Sequence, residues 1–110
     1  MIFKKILLLL IASCGVASAQ ITATHFNAGW NDANSVAWFM DLKDCKTKGL
    51  TDIAKDTEAQ AKYKIAVVPT IIIFKDGEEA LRFQADLSFK MLATKEEVQE
   101  EIDNLMMSDF

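Results

Sequence analysis

The clearest strand signal in this chain is the unbroken apolar run at residues 71–74, which lies between Pro69 and the pair Asp76-Gly77. A β-branched run with such boundaries is typical of a strand that is buried on both faces. Asp-Gly favours a tight hairpin turn, so residues 79–85 are predicted to return as an antiparallel partner. Pro69 is the only proline, and it must lie where the pairing begins because it cannot donate a ladder hydrogen bond.

Five further elements follow from the spacing of apolar residues and from capping signals. Residues 21–27 alternate and predict a strand, and a helix that is apolar over most of its circumference begins near residues 31–34. Residues 49–55 predict a strand parallel to the first, and residues 56–63 predict a short helix. Residues 94–97, Thr-Lys-Glu-Glu, form a capping box ahead of a final amphipathic helix. The predicted order is β-α-β followed by β-β-α.

Residues 63–78, with the sequence YKIAVVPTIIIFKDGE, resemble the cis-proline segment of the thioredoxin family. The resemblance implies an α/β thioredoxin-like fold, in which helices flank a mixed central sheet. The predicted elements match that core without the family's customary leading strand and helix. The sequence does not decide whether the Val68–Pro69 bond is cis.

The thioredoxin resemblance extends to the family's active-site stretch. Three residues there match the family pattern: Phe26, Ala28 and Trp30. The family's W-C-G-P-C falls on residues 30–34, so that Asn31 and Asn34 stand where the resemblance implies redox cysteines. His25 takes the position of the family's buried acid.

Two asparagines cannot perform dithiol chemistry, because exchange needs an attacking thiolate and a second, resolving thiol. The leading hypothesis is therefore a redox-inactive binding module for a peptide or protein partner in the cell envelope, and enzyme activity is the less favoured interpretation. The candidate binding groove consists of Trp30, Asn31, Asn34, Val68 and Pro69. Val68 would offer strand-like backbone hydrogen bonds to an extended peptide.

The alternative hypothesis is a thiol–disulfide oxidoreductase-type activity carried by Cys45. It requires an exposed thiol of low pKa, which three nearby basic residues would favour: Lys43, Lys46 and Lys48. The helical spacing from Trp38 and Leu42 instead favours a buried, inert Cys45. A third possibility is a homodimer linked through Cys45, in place of a monomer.

The N-terminus predicts export from a bacterial cell. Lys4 and Lys5 precede the apolar residues 6–12, and the A-x-A site at residues 17–19 completes a signal peptide that is cleaved after residue 19. The apolar run is too short to span a membrane. We therefore predict a periplasmic or secreted domain at residues 20–110. The alternative is a lipoprotein anchored through Cys14, which follows a lipobox-like Ile-Ala-Ser.

Composition restricts the classes of function further. Removal of Lys4 and Lys5 with the signal peptide would move the net charge from −4 to −6. An acidic chain without a Lys/Arg stripe is not expected to bind nucleic acid. His25 is the only histidine, and its isolation argues against a metal site. The sequence contains no phosphate-binding glycine loop, and no cofactor is predicted.

Overall fold

The computed structural model describes residues 20–108. These form a four-stranded mixed sheet in the order β2-β1-β3-β4. The strands are β1 (Ile21–Asn27), β2 (Lys46–Asp52), β3 (Thr70–Lys75) and β4 (Glu78–Gln84). β1 pairs in parallel with β2 and antiparallel with β3, and β4 returns antiparallel to β3. The predicted α/β class and the hairpin at residues 76–77 are confirmed.

Residues 20–108 contain two α-helices, α1 (Thr57–Tyr63) and α2 (Lys95–Met107), and both begin as predicted. The Asp56 carboxylate accepts a hydrogen bond from the Ala59 backbone N–H at 3.0 Å and caps α1. Thr94 and Glu97 form the predicted capping box at the start of α2, with each side chain bonded to the other residue's backbone N–H.

The prediction of an α-helix that begins near residues 31–34 was wrong. The chain instead forms two short 3-10 helices, Gly29–Asn34 and Phe39–Asp41, and Asn31 lies outside helical geometry with φ −112° and ψ 20°. The physical reason is competition for the backbone. The Val36 N–H, which an α-helix would pair with a carbonyl four residues back, donates to the His25 imidazole at 3.1 Å.

The second strand lies three residues earlier than residues 49–55, the predicted range. It pairs with β1 from Thr22↔Lys46 to Asn27↔Asp52, so the length of β1 sets its extent. At Asp52 the chain turns, because the Asp52 carbonyl accepts the N–H groups of Lys55 and Asp56. Local alternation could not place this strand, since β2 is a largely exposed edge strand.

Apolar side chains pack on both faces of the sheet. The larger cluster lies between the sheet, the 3-10 segments and α2, and comprises Ile21, Ala23, Val36, Phe39, Leu42, Ile71, Ile73, Val98 and Ile102. The smaller cluster lies on the face that carries α1, and comprises Phe26, Ala28, Ile53, Ile65, Val68 and Ile72. β3 supplies buried residues to both clusters, as expected for a central strand with a continuous apolar run.

The N-terminal segment that carries the predicted signal peptide and Cys14 lies outside the described residues. Within residues 20–108, no helix is both long enough and apolar enough to cross a membrane.

Candidate functional site

The candidate site lies where β1 ends and β3 begins. Phe26 pairs with Thr70 across the two strands, and the same register carried one residue further places Pro69 opposite Asn27. The Val68–Pro69 bond is cis. The Pro69 carbonyl accepts the Ala85 N–H at 3.0 Å, so the residues around the proline are fixed by hydrogen bonds.

Asn31 and Asn34 belong to a closed hydrogen-bond network. The Asn34 amide donates to Asn31 Oδ1 at 2.8 Å, and the Asn31 amide donates to Asn27 Oδ1 at 3.1 Å and to the Phe89 carbonyl at 3.2 Å. Asn27 in turn donates to the Asn31 carbonyl at 3.1 Å and to Ser35 Oγ at 3.0 Å. Asn31, which is 6% exposed, therefore has its amide N–H groups and its oxygen paired.

A pair of exposed aromatic rings lies beside this network. The rings of Trp30 and Phe89 meet edge to face, with centroids 5.2 Å apart and an interplanar angle of 87°. Trp30 is 67% exposed and Phe89 is 40% exposed, so much of the pair faces solvent. We refer to these two residues as the aromatic pair.

A tight turn after β4 holds Phe89 in place. The Asp86 carboxylate accepts the N–H groups of Ser88 at 2.8 Å and Lys90 at 3.3 Å, and hydrogen bonds from the Ser88 hydroxyl and backbone lower the pKa of Asp86. Phe89 adopts φ 65°, in the left-handed region that a bulky residue rarely occupies. An isolated bridge between Ala85 and Met91 closes the turn. The extra length of the chain before α2 thus forms an ordered hairpin loop.

A hydrogen bond at Gly29 joins the site to Asp52, the last residue of β2. The Gly29 N–H donates to the Asp52 carboxylate at 3.1 Å. A Cβ atom at Gly29 would lie 2.9 Å from Asp52 Oδ2, closer than side-chain atoms tolerate. A side chain at residue 29 would therefore displace the Asp52 carboxylate.

His25 lies under the site, on the face of β1 that packs on the larger cluster. Its Nε2 accepts the Val36 N–H at 3.1 Å, which requires a neutral imidazole with Nε2 unprotonated. Burial lowers the pKa of His25, and the nearby Asp32 carboxylate opposes that shift only partly. His25 is thus a packed, hydrogen-bonded residue.

Cys45 is not part of the aromatic pair. It directly precedes the edge strand β2 and packs against the larger cluster. Burial raises the pKa of its thiol, and the negative charge of Asp44 raises it further. A nucleophilic cysteine needs the opposite shift. The three lysines near Cys45 therefore do not give it the low pKa that the alternative hypothesis requires.

The structure brings three of the sequence-predicted groove residues together: Trp30, Asn31 and Asn34. Val68 is only 3% exposed and Pro69 is fully buried, so these two shape the site from beneath. Sequence reasoning missed Asn27, Ser35 and the role of Phe89. The apolar composition of residues 82–93 was the available signal for Phe89.

Among residues 20–108, no cluster of three or more His, Cys, Asp or Glu side chains could hold a metal ion. The groups that the site does present are hydrogen-bonded amides and exposed aromatic rings.

A mixed sheet in this order, with a cis-proline ahead of its third strand and helices on both faces, defines a thioredoxin-like fold. No family model and no curated protein matches the sequence. Solved structures do match. A mutant thioredoxin from Halobacterium salinarum shares 17% identity at a TM-score of 0.62, over 79% of this chain and 75% of that chain.

Two other thioredoxins are similar in the same way. The thioredoxin of Fasciola hepatica shares 23% identity at a TM-score of 0.55, over 89% of each chain. The oxidised thioredoxin of Plasmodium falciparum shares 13% identity at a TM-score of 0.50, over 79% of this chain and 82% of that chain. At these identities the likeness establishes the fold, and function must be argued from the site.

Proposed function

We propose that this chain is an exported thioredoxin-like domain protein that binds a peptide or protein partner and is redox-inactive at residues 30–34. The observation that carries the proposal is the hydrogen bond from the Asn34 amide to Asn31 Oδ1, at the positions where thioredoxins carry their cysteines. A carboxamide has no thiolate form, so neither residue can attack or resolve a disulfide.

The same network supports a structural role for the asparagines. Asn31 uses its amide to fix the carbonyl of Phe89, which is 58 residues away in the sequence. This bond joins the first 3-10 segment to the loop after β4, and the two aromatic rings meet across that junction. The asparagines thus position the aromatic pair.

The aromatic pair is the surface that we assign to the partner. Trp30 and Phe89 present exposed ring area at a rigid position, and aromatic residues of this kind dominate binding energy at interfaces. Because Val68 and Pro69 are buried, a partner side chain would contact the rings rather than the proline. The partner chemistry that fits is a peptide with an apolar anchor residue.

The proposed location is the periplasm or the exterior, after cleavage behind residue 19, and lipid anchoring through Cys14 is the alternative. Mass spectrometry of the chain purified from a host that exports it decides between them. A mass that begins at Gln20 supports cleavage at the A-x-A site. A mass that begins at a lipidated Cys14 supports the anchor, and an unprocessed chain in the cytoplasm contradicts both.

A disulfide-reductase assay tests the redox half of the proposal. Dithiothreitol-driven insulin reduction is measured for the parent chain, for N31C alone, and for N31C/N34C. We expect no acceleration by the parent or the single variant, and acceleration by the double variant, which has both an attacking and a resolving thiol. Acceleration by the parent chain would overturn the proposal of redox inactivity.

A peptide-display selection tests the binding half. A random peptide library is panned against the parent chain, and the enriched sequences are measured against W30A, F89A and the control M107A. Met107 is also an exposed apolar residue, but it lies at the end of α2. We expect W30A and F89A to lose about tenfold or more in affinity while M107A binds like the parent. Selected peptides that bind W30A and F89A as tightly as the parent would contradict the assigned surface.

A further inference from the structure

The face of the sheet that carries α1 is only partly covered. α1 has seven residues, and the ring of its last residue, Tyr63, contacts the rings of Phe26 and Phe74. On β1, side chains at every second position share a face, so Thr22 and Thr24 lie on the same side of the sheet as Phe26. These two threonines lie beside the rings that Tyr63 covers.

An open cleft lies over this part of the sheet, beside the end of α1. It has a volume of about 260 Å³ and is lined by Thr22, Thr24, Lys48, Lys62, Tyr63 and Phe74. The cross-strand pairs Thr24↔Lys48 and Thr22↔Phe74 place a lysine on one side of the threonines and an aromatic ring on the other. Lys62 reaches the cleft from α1, with its Nζ 5.2 Å from the centroid of the Tyr63 ring.

The polar groups that line the cleft are available to a ligand. No hydrogen bond or ion pair to another described residue engages the hydroxyls of Thr22 and Thr24 or the ammonium groups of Lys48 and Lys62. Thr24 is only 8% exposed, so its hydroxyl lies at the bottom of the cleft rather than on an open surface.

The cleft is positively charged, whereas the chain as a whole has a negative net charge. The chain has a net charge of −4, yet the cleft lining includes two lysines and no acidic residue. Two ammonium groups and two hydroxyl donors suit an oxyanion, which accepts several hydrogen bonds at once. The rings of Tyr63 and Phe74 add an apolar wall beside this donor set.

We propose that this cleft is a binding site for a small ligand that carries an oxyanion group, a phosphate, sulfate or carboxylate, on an apolar or aromatic body. Lys48 and Lys62 hold the anion, Thr22 and Thr24 donate to it from the sheet, and the apolar body lies on Phe74 and Tyr63. The site is on a different part of the molecule from the aromatic pair, and it does not depend on the proposed peptide-binding function.

The test is titration of the full chain with phenyl phosphate, followed by amide NMR at low ionic strength. Inorganic phosphate and phenol are the comparison probes, since each carries one half of the proposed recognition. We expect saturable shifts at the amides of Thr22 and Thr24, with phenyl phosphate binding more tightly than either probe. Equal binding of phenol and phenyl phosphate, or no saturation, would overturn the proposal.

Variants locate the ligand. K48Q and K62Q each remove one charge from an exposed side chain, and we expect both variants to fold like the parent. K95Q, on α2 at the other face of the sheet, is the matched control. We expect K48Q and K62Q each to weaken phenyl phosphate binding about tenfold, and K95Q to bind like the parent. If K48Q/K62Q retains the parent affinity, the ligand does not bind in this cleft.

The threonine hydroxyl is tested with T24V, which keeps the shape of the side chain and removes its donor. We expect weaker binding of phenyl phosphate with unchanged binding of phenol. A far-ultraviolet circular dichroism spectrum and urea midpoint that match the parent confirm that T24V is folded. Unchanged phenyl phosphate affinity in folded T24V would remove the Thr24 hydroxyl from the site.

Discussion

Asn31 and Phe89 are joined by a hydrogen bond of 3.2 Å from the Asn31 amide to the Phe89 carbonyl, across 58 residues of sequence. This bond ties the segment that follows β1 to the loop that follows β4. It also holds the Phe89 ring against Trp30, at a centroid distance of 5.2 Å. The exposed aromatic surface therefore depends on a buried amide.

Asn31 and Asn34 should contribute unequally to stability. Asn31→Ala leaves the Asn27 side-chain oxygen and the Phe89 carbonyl without their donor, and we expect a loss of about 1–3 kcal/mol in the free energy of unfolding. Asn34→Ala removes a single donor from Asn31 Oδ1, and we expect about 0.5–1.5 kcal/mol. Urea denaturation of both variants measures the difference. Equal losses would show that the network does not centre on Asn31.

Stability should fall as the pH drops below the ordinary pKa of histidine. Burial lowers the pKa of His25 from 6.5 in the folded state, so the unfolded chain binds a proton more readily. The contribution of neutral His25 is therefore complete above pH 6.5 and is lost as the pH falls through the folded pKa. The urea midpoint, measured at steps from pH 7.5 downwards, reports this loss.

His25→Gln is the control for that titration, because glutamine can accept the Val36 N–H and does not ionise in this range. We expect the variant to lose the pH-dependent component that begins near pH 6.5 in the parent. If both proteins show the same pH profile, His25 is not the group responsible.

Arg82 should contribute more to the free energy of unfolding than Glu79, the acid with which it pairs. The Arg82 guanidinium donates to the carbonyls of Tyr63 at 2.7 Å and Lys64 at 3.1 Å, and so satisfies the C-terminal end of α1. We expect Arg82→Met to cost about 1.5–3 kcal/mol, because bonds to a charged donor are lost. Glu79→Gln disrupts an exposed ion pair and should cost about 0–1 kcal/mol.

Thermal or urea unfolding of the two variants distinguishes these roles. A larger loss for Glu79→Gln than for Arg82→Met would show that the ion pair, and not the α1 carbonyls, is the main partner of Arg82.

Cys45 should react slowly with alkylating reagents. Burial and the Asp44 charge raise the pKa of its thiol, so less thiolate is present at pH 8 than in a free cysteine. We expect iodoacetamide to label the folded chain more slowly than glutathione, and labelling to reach the glutathione rate in urea. Folded-state labelling faster than glutathione would revive the hypothesis of a thiol activity at Cys45.

Local sequence determined much of the fold. The apolar run of β3, the Asp76-Gly77 turn and the capping box at Thr94 act over a few residues, and each appears in the structure as predicted. The asparagines at residues 31 and 34, on which the proposal of redox inactivity rests, are likewise read directly from the sequence. The thioredoxin-like fold was predicted from the resemblance of residues 63–78 to the family's cis-proline segment, and the order of these elements agreed with it.

Tertiary structure decided the backbone conformation of the segment between β1 and β2. The apolar spacing of residues 31–45 suits a helix, but the His25 imidazole takes the Val36 N–H, and the asparagine network fixes the preceding turn. Those partners come from another strand and another loop, so no local pattern reveals them. The extent of β2 was likewise set by its pairing with β1, since an edge strand carries a weak alternation of its own. The aromatic pair has the same origin, because Trp30 and Phe89 meet only after the sheet has formed.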